Sequence, residues 1–233
     1  MSNESIISAI RAALEVDPDI NMHRSAVRIR VDDVIRLEGE VGSIVVKRKA
    51  LRIARQFASG LPIEDKLRLM RGGRMVGDQL RDATLAALRG EPAFAEMDID
   101  TGTDAPSGQE RDWMRVTTQD CVVRITGEVR SLSHRRLAEV LAWWVPGSCD
   151  VDNHLHVRPP QTEYDEEITD AVRLVFDKEP ALDAEQISVV TREREVTLRG
   201  AVFSDEQKHI AARDVWYIPG VHAVHNELQV VSH

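Results

Sequence analysis

Residues 27–41 read V-R-I-R-V-D-D-V-I-R-L-E-G-E-V, and the fold follows from this stretch. Val27, Ile29 and Val31 alternate with arginines, two aspartates interrupt, and Ile35, Leu37 and Val41 resume the alternation. Period two on either side of a polar Asp32-Asp33 turn predicts a β-hairpin with one apolar face. Downstream, Val46, Ala50, Ile53, Ala54 and Phe57 recur at helical spacing, and Ile63, Asp65, Leu67 and Leu69 alternate again as a last strand. Upstream, Ile6, Ile10 and Leu14 lie four apart, predicting a helix that Pro18 ends because proline cannot continue the backbone ladder. The unit is α-β-β-α-β.

The same unit occurs three times. Anchored on Gly39, Gly127 and Gly200, the residue two before is Leu37, Ile125 or Leu198, and the residue two after is Val41, Val129 or Val202. Eleven after stands Ala50, Ala138 or Ala211, and twenty-eight after stands Leu67, Leu155 or Leu228. Upstream, Leu80, Thr84, Leu88 and Pro92 match the first helix of the second copy, and Ile168, Val172, Phe176 and Pro180 that of the third. Self-similarity of this kind marks a tandem array. The expected fold class is α+β, with three tandem modules, each a small three-stranded mixed sheet with two helices on one face. The expected modules are residues 1–70, 76–158 with an insertion near 95–112, and 163–231, separated by Gly72-Gly73 and Pro159-Pro160. A module of about 65 residues is marginal alone, which favours packing between neighbours.

Composition narrows the function. The chain has 233 residues, 42% hydrophobic and 30% charged, with a net charge of −9. That balance belongs to a globular protein and argues against a general nucleic-acid binder, which needs a basic surface. Residues 1–70 carry 12 Lys+Arg and 10 Asp+Glu, whereas residues 161–233 carry 7 and 15. The start, M-S-N-E-S-I-I-S-A-I, carries Glu4 and no basic run before an apolar one, so export is not expected. Cys121 and Cys149 fall in no C-x-x-C pattern and read as two inert, partly buried thiols, which together point to a cytoplasmic protein.

V-T-L-R-G-A-V at 196–202, A-E-V-L-A-W-W-V-P-G at 138–147 and V-H-N-E-L-Q-V at 224–230 resemble the BON domain family in three copies. The resemblance implies the α-β-β-α-β fold and a non-enzymatic role in binding or scaffolding, in envelope or osmotic stress. It implies attachment to phospholipid surfaces or envelope partners, and for some members a small-ion (potassium) sensor instead. The first copy departs in having Asp65 where the others have Asn153 and Asn226, so its last connection is expected to differ.

Three constellations are candidate sites. Lys47, Arg48, Lys49, Arg52 and Arg55 are expected on the outer side of the second helix of the first copy, with no acidic residue from Val41 to Ile63. An anionic lipid surface attracts such groups by about 1 kcal/mol each, so the patch is a candidate for anionic phospholipid or an anionic partner. Trp143-Trp144 and Trp216-Tyr217 occupy matched sites late in the second helices of copies two and three. Neighbours on a helix point about 100° apart, so one ring of each pair is expected to cover a contact between modules or chains. Asp152, His154 and His156 share one face of a strand and are weak metal candidates. Asp98, Asp100 and Asp104, in the insertion, lack the glycine and closing glutamate of a calcium loop and read as a polar loop. No nucleophile elbow, zincin helix or paired-carboxylate motif occurs. The expectation is therefore no enzyme activity, no cofactor, no small-molecule substrate and no nucleic acid, with a protein partner or self-association.

Overall fold

Residues 2–22, 25–70, 73, 75–102, 104 and 112–231 are described by the structure, a computed structural model. The chain divides into two compact units, residues 1–70 and 71–233. In the first unit, α1 (Asn3–Val16) precedes β1 (Arg28–Val31) and β2 (Ile35–Val41), then α2 (Ile44–Phe57) and β3 (Ile63–Leu69). β1 and β2 are antiparallel and β2 and β3 parallel, so β2 is central. The Asp32-Asp33 turn is one residue longer than expected, because the Asp32 N–H donates to the Val34 carbonyl at 3.1 Å. Ile6, Ile10 and Leu14 of α1 and Ala50 and Ala54 of α2 bury against Ile35, Leu37 and Leu67. Alternation leaves one apolar sheet face, and both helices cover it.

The second unit repeats this twice. Its first module comprises α3 (Asp78–Arg89), β4 (Asp98–Thr101), β5 (Trp113–Gln119), β6 (Val122–Val129), α4 (Leu132–Trp144) and β7 (Asp150–Val157). Its second comprises α5 (Asp165–Lys178), β8 (Ile187–Arg192), β9 (Glu195–Val202), α6 (Asp205–Tyr217) and β10 (Ala223–Val230). The sheet orders are β4-β5-β6-β7 and β10-β9-β8. The chain is thus an α+β protein of three modules with mixed sheets. The middle sheet has a fourth strand, which corrects the reading of its insertion as a loop alone: Asp98–Thr101 pairs parallel to β5. Asp98 meets Arg115 at 2.8 Å and Asp100 meets Arg89 at 3.4 Å, so these carboxylates face arginines and do not shape a calcium loop. Residues 103 and 105–111 of the insertion, and Gly72 of the first boundary, lie outside the described residues.

The repeat anchor has a steric cause. Gly39, Gly127 and Gly200 have φ of 131°, 146° and 129°, and a Cβ there would collide with the carbonyl oxygens of Ala26, Trp113 and Gln186. Only glycine tolerates both conditions. Four residues on, Ser43, Ser131 and Ser204 cap the second helices, accepting from the N–H groups of Val46, His134 and Gln207 at 3.3, 3.2 and 3.1 Å. A serine hydroxyl at this place satisfies one of the unpaired N–H groups of a helix start.

A third matched device ties the last strand to the second helix. Asn153 donates to the Arg135 carbonyl at 3.0 Å, and Asn226 donates to the Lys208 carbonyl at 2.7 Å. Asp65, at the same place in the first module, has no N–H to donate. It meets Lys47 Nζ at 2.7 Å instead, while Lys47 also donates to the Leu67 carbonyl at 2.6 Å. The departure in sequence is a departure in bonding.

The two cysteines correct the expectation of separate thiols. Cys121, in the β5–β6 turn, and Cys149, just before β7, form a disulfide with their Cα atoms 5.3 Å apart. Parallel pairing of β6 and β7 starts both strands together, Val122 opposite Asp150, and so brings residues 28 apart in sequence side by side.

Candidate functional site

Aromatic and charged side chains gather where the second and third modules meet. α4 packs against both α5 and α6. Trp143 and Trp216 are buried at 5% and 6% exposure, and Trp144 and Tyr217 are half-buried. Trp143 stacks on Tyr217 with ring centroids 5.7 Å apart and planes 26° apart. The stack is asymmetric, since it joins the first ring of one pair to the second ring of the other.

Polar groups surround the rings. Arg136 of α4, 2% exposed, donates to the Pro219 carbonyl at 3.3 Å, and its guanidinium lies 3.8 Å from Glu163. Burial depresses its pKa. Glu163 also meets Arg194 at 3.2 Å, so one carboxylate serves an arginine from each module. Lys178 of α5 reaches Glu91 of the second module at 2.9 Å. Asp214 of α6 is fully buried, with Arg213 at 3.1 Å. Burial pushes its pKa up to about 6, against the pull of Arg213 and of the nearby Trp144, and Glu179 raises it further. Burial likewise raises that of the Tyr217 phenol.

Asp214 and Arg136 were not singled out in the sequence, although the repeat held a signal for one of them. Fourteen after each anchoring glycine stand Ile53, Leu141 and Asp214. A carboxylate at a site that is apolar in both other copies is a visible exception. Arg136 gave no such sign, because Arg48 stands at its place in the first copy.

The basic helix is arranged differently from the expectation of five unopposed outer charges. Lys47 is 2% exposed and bound to Asp65. Lys49 pairs with Asp17 at 3.1 Å and with Asp19. Burial opposes its charge, but the two carboxylates hold its pKa above the ordinary value. Arg48 and Arg52 are half-buried and Arg55 is exposed. The local run without acids misled because the opposing carboxylates come from the α1 terminus and β3, distant in sequence.

Among the metal candidates, Asp152 lies 2.8 Å from Arg124 and 2.6 Å from His154, while His156 is exposed on the same strand. An arginine on the carboxylate competes with a cation there. Among the described residues no three His, Cys, Asp or Glu side chains gather as a metal site, and no helix is long and apolar enough to cross a membrane.

The fold and this junction define a class: tandem two-layer α+β modules, the second and third of which are held together by aromatic and charged side chains. The BON domain model matches residues 2–70, 108–159 and 164–232, and the chain belongs to the BON domain family. Membership supports a non-enzymatic binding or scaffold role. No curated protein matches the chain. Among solved structures it is similar to the C-terminal domain of CdsD, a structural protein of the type III secretion system of Chlamydia trachomatis, at 14% identity over 99% of this chain and 100% of that one, with a TM-score of 0.26. A second structure of CdsD matches at 14% identity over 98% and 93%, with a TM-score of 0.27. At such TM-scores the likeness carries no argument.

Proposed function

We propose that the chain is a non-enzymatic scaffold that presents its second and third modules as one rigid platform for a protein partner. The junction of Trp143, Tyr217, Arg136 and Glu163 supports this reading. Two modules fused through buried rings and a shared carboxylate hold their outer surfaces in fixed relation, and a preorganised surface binds with less ordering cost. Affinity purification from the native cell, with and without membranes, tests it. A protein that co-elutes from both extracts is the expected result; recovery of the chain alone, as a monomer, discards the reading.

The Cys121–Cys149 disulfide supports an oxidising compartment for this scaffold, in place of the cytoplasmic setting expected from cysteine spacing. An envelope role in stress fits that setting. Alkylation of intact cells, followed by mass measurement, distinguishes the two, since a reducing compartment leaves both cysteines labelled after denaturation.

A second reading is docking on anionic phospholipid through α2. With Lys47 and Lys49 held by carboxylates, at most Arg48, Arg52 and Arg55 contribute, about 3 kcal/mol together at about 1 kcal/mol each. That is too weak for stable anchoring by one chain. Pelleting with anionic vesicles above the level with neutral ones, lost when the three arginines become Glu, supports it; equal pelleting removes it.

A further inference from the structure

The middle module contains a strand that its neighbour lacks. Met114 of β5 lies opposite Gly127, and Ile187 of β8 lies opposite Gly200, so β5 and β8 correspond residue by residue. On the outer edge of β5, β4 runs parallel, with Ile99 beside Met114 and Thr101 beside Val116. Ile99 is buried, and Arg89 of α3 reaches over to donate twice to its carbonyl, at 2.9 and 2.6 Å. In the third module β8 is the edge of its sheet. Among the described residues no strand covers it. A shallow groove runs there between α5 and β8.

The edge is ready for a strand. β8 and β9 join through Glu193 and Arg194, both at positive φ, a two-residue turn whose flanking pair Arg192–Glu195 is hydrogen-bonded. Alternation along an antiparallel pair then turns the N–H and C=O groups of Val189 and Thr191 and the C=O of Ile187 outward, while the Ile187 N–H already donates to the Ala184 carbonyl. Two of these, Ile187 and Val189, match Met114 and Val116, which β4 pairs with.

The chemistry of the groove selects its occupant. Glu166, Asp170, Asp177 and Glu185 line it against one cation, Arg173, which itself lies 3.6 Å from Asp170. Asp177 stands one after Phe176, where the second module has Arg89 one after Leu88. The place that donates to a strand in one module carries an acceptor in the other. Val190, 44% exposed, adds apolar contact. At the corresponding edge of the first module, β1 has only four residues and carries Arg28 and Arg30, so it does not share this chemistry.

We propose that the outer edge of β8 receives an extended, lysine- or arginine-rich segment of a partner protein as an added strand, in the place that β4 fills in the second module. Main-chain bonds give such a strand its affinity and alternate side chains its specificity. The inference rests on the scaffold reading and names the class of partner.

The test uses the full chain and two labelled peptides, Lys-Val-Lys-Ile-Lys-Val-Lys and its counterpart with Glu at each Lys, followed by fluorescence anisotropy. Saturable binding of the basic peptide is expected, at least tenfold tighter than the acidic one. The exposed triple variant Asp170→Lys, Asp177→Lys, Glu185→Lys should weaken it about tenfold, and the control Asp205→Lys, Glu206→Lys on α6 should leave it unchanged. Hydrogen exchange should slow at the Val189 and Thr191 amides and not on β10. Equal loss in triple variant and control, or unaltered exchange on β8, overturns the inference. A native partner that the triple variant still captures overturns it while leaving the scaffold reading intact; absence of any partner removes the scaffold reading itself.

Discussion

Trp143 and Tyr217 lie face to face across the junction of the second and third modules, 5.7 Å between centroids, although they occupy different places in their repeats. Such a stack adds about 0.5–1.5 kcal/mol beyond the area it buries. Trp143→Ala should destabilise residues 71–233 by about 3–5 kcal/mol, as large-to-small changes at buried aromatics do. A double-mutant cycle with Tyr217→Ala should return a coupling near 1 kcal/mol. All four tryptophans, at 113, 143, 144 and 216, lie in that unit, so intrinsic fluorescence in urea reads it alone. Strict additivity of the two changes means that the rings do not hold the modules together.

Asp65 tests the bond exchange of the first module. Asp65→Ala deprives buried Lys47 of its carboxylate and should cost about 3 kcal/mol, the scale for breaking a buried pair. Asp65→Asn recreates the donor present at Asn153 and Asn226, and should cost less. Hydrogen exchange at the Leu67 amide, which bonds to Asp65 at 2.9 Å, reports the difference in the full chain. Equal acceleration in both variants means that the helix-to-strand tie is unimportant there.

The disulfide closes 28 residues, and loop closure of that length stabilises by about 3–4 kcal/mol in the chain-entropy view. Reductant should lower the urea midpoint of residues 71–233 and leave that of residues 1–70 in place. The double variant Cys121→Ser, Cys149→Ser should behave like the reduced protein and ignore reductant. A midpoint indifferent to both treatments would show that β6–β7 pairing alone holds these ends.

Most of the fold was legible because each module writes its periodicities into a short window, as at Val27 to Val41, and repeats them three times. Three things escaped. β4 has only four residues and one buried side chain, Ile99, too brief for a periodic signal. The cysteine pairing depends on the parallel register of β6 and β7, which sequence spacing alone does not fix. The charge of α2 was misread because Asp17, Asp19 and Asp65 approach it through tertiary contact. The tryptophan pairs were visible as surplus rings, yet the offset that joins Trp143 to Tyr217 depends on how two helices cross.

Asp214 makes stability depend on pH in an unusual direction. A carboxyl group held by partners has a lowered pKa, and its contribution fades as acid is added; Asp214 is the reverse case, since burial raises its pKa from 3.8 to about 6. Between these values the folded chain holds a proton that the unfolded chain has lost, so stability from this group falls as pH rises from about 4 to about 6. The shift corresponds to on the order of 3 kcal/mol at 1.36 kcal/mol per unit. Above pH 6 the buried charge persists at that cost, with Arg213 offsetting part of it and Glu179 adding to it. Asp214→Asn keeps the shape and cannot ionise. Its stability relative to the natural chain should therefore grow by about 3 kcal/mol between pH 4 and pH 7, measured by tryptophan fluorescence in urea at each pH. A difference that stays constant across this range would mean that the Asp214 carboxyl is already ionised at pH 4, and that Arg213 outweighs its burial.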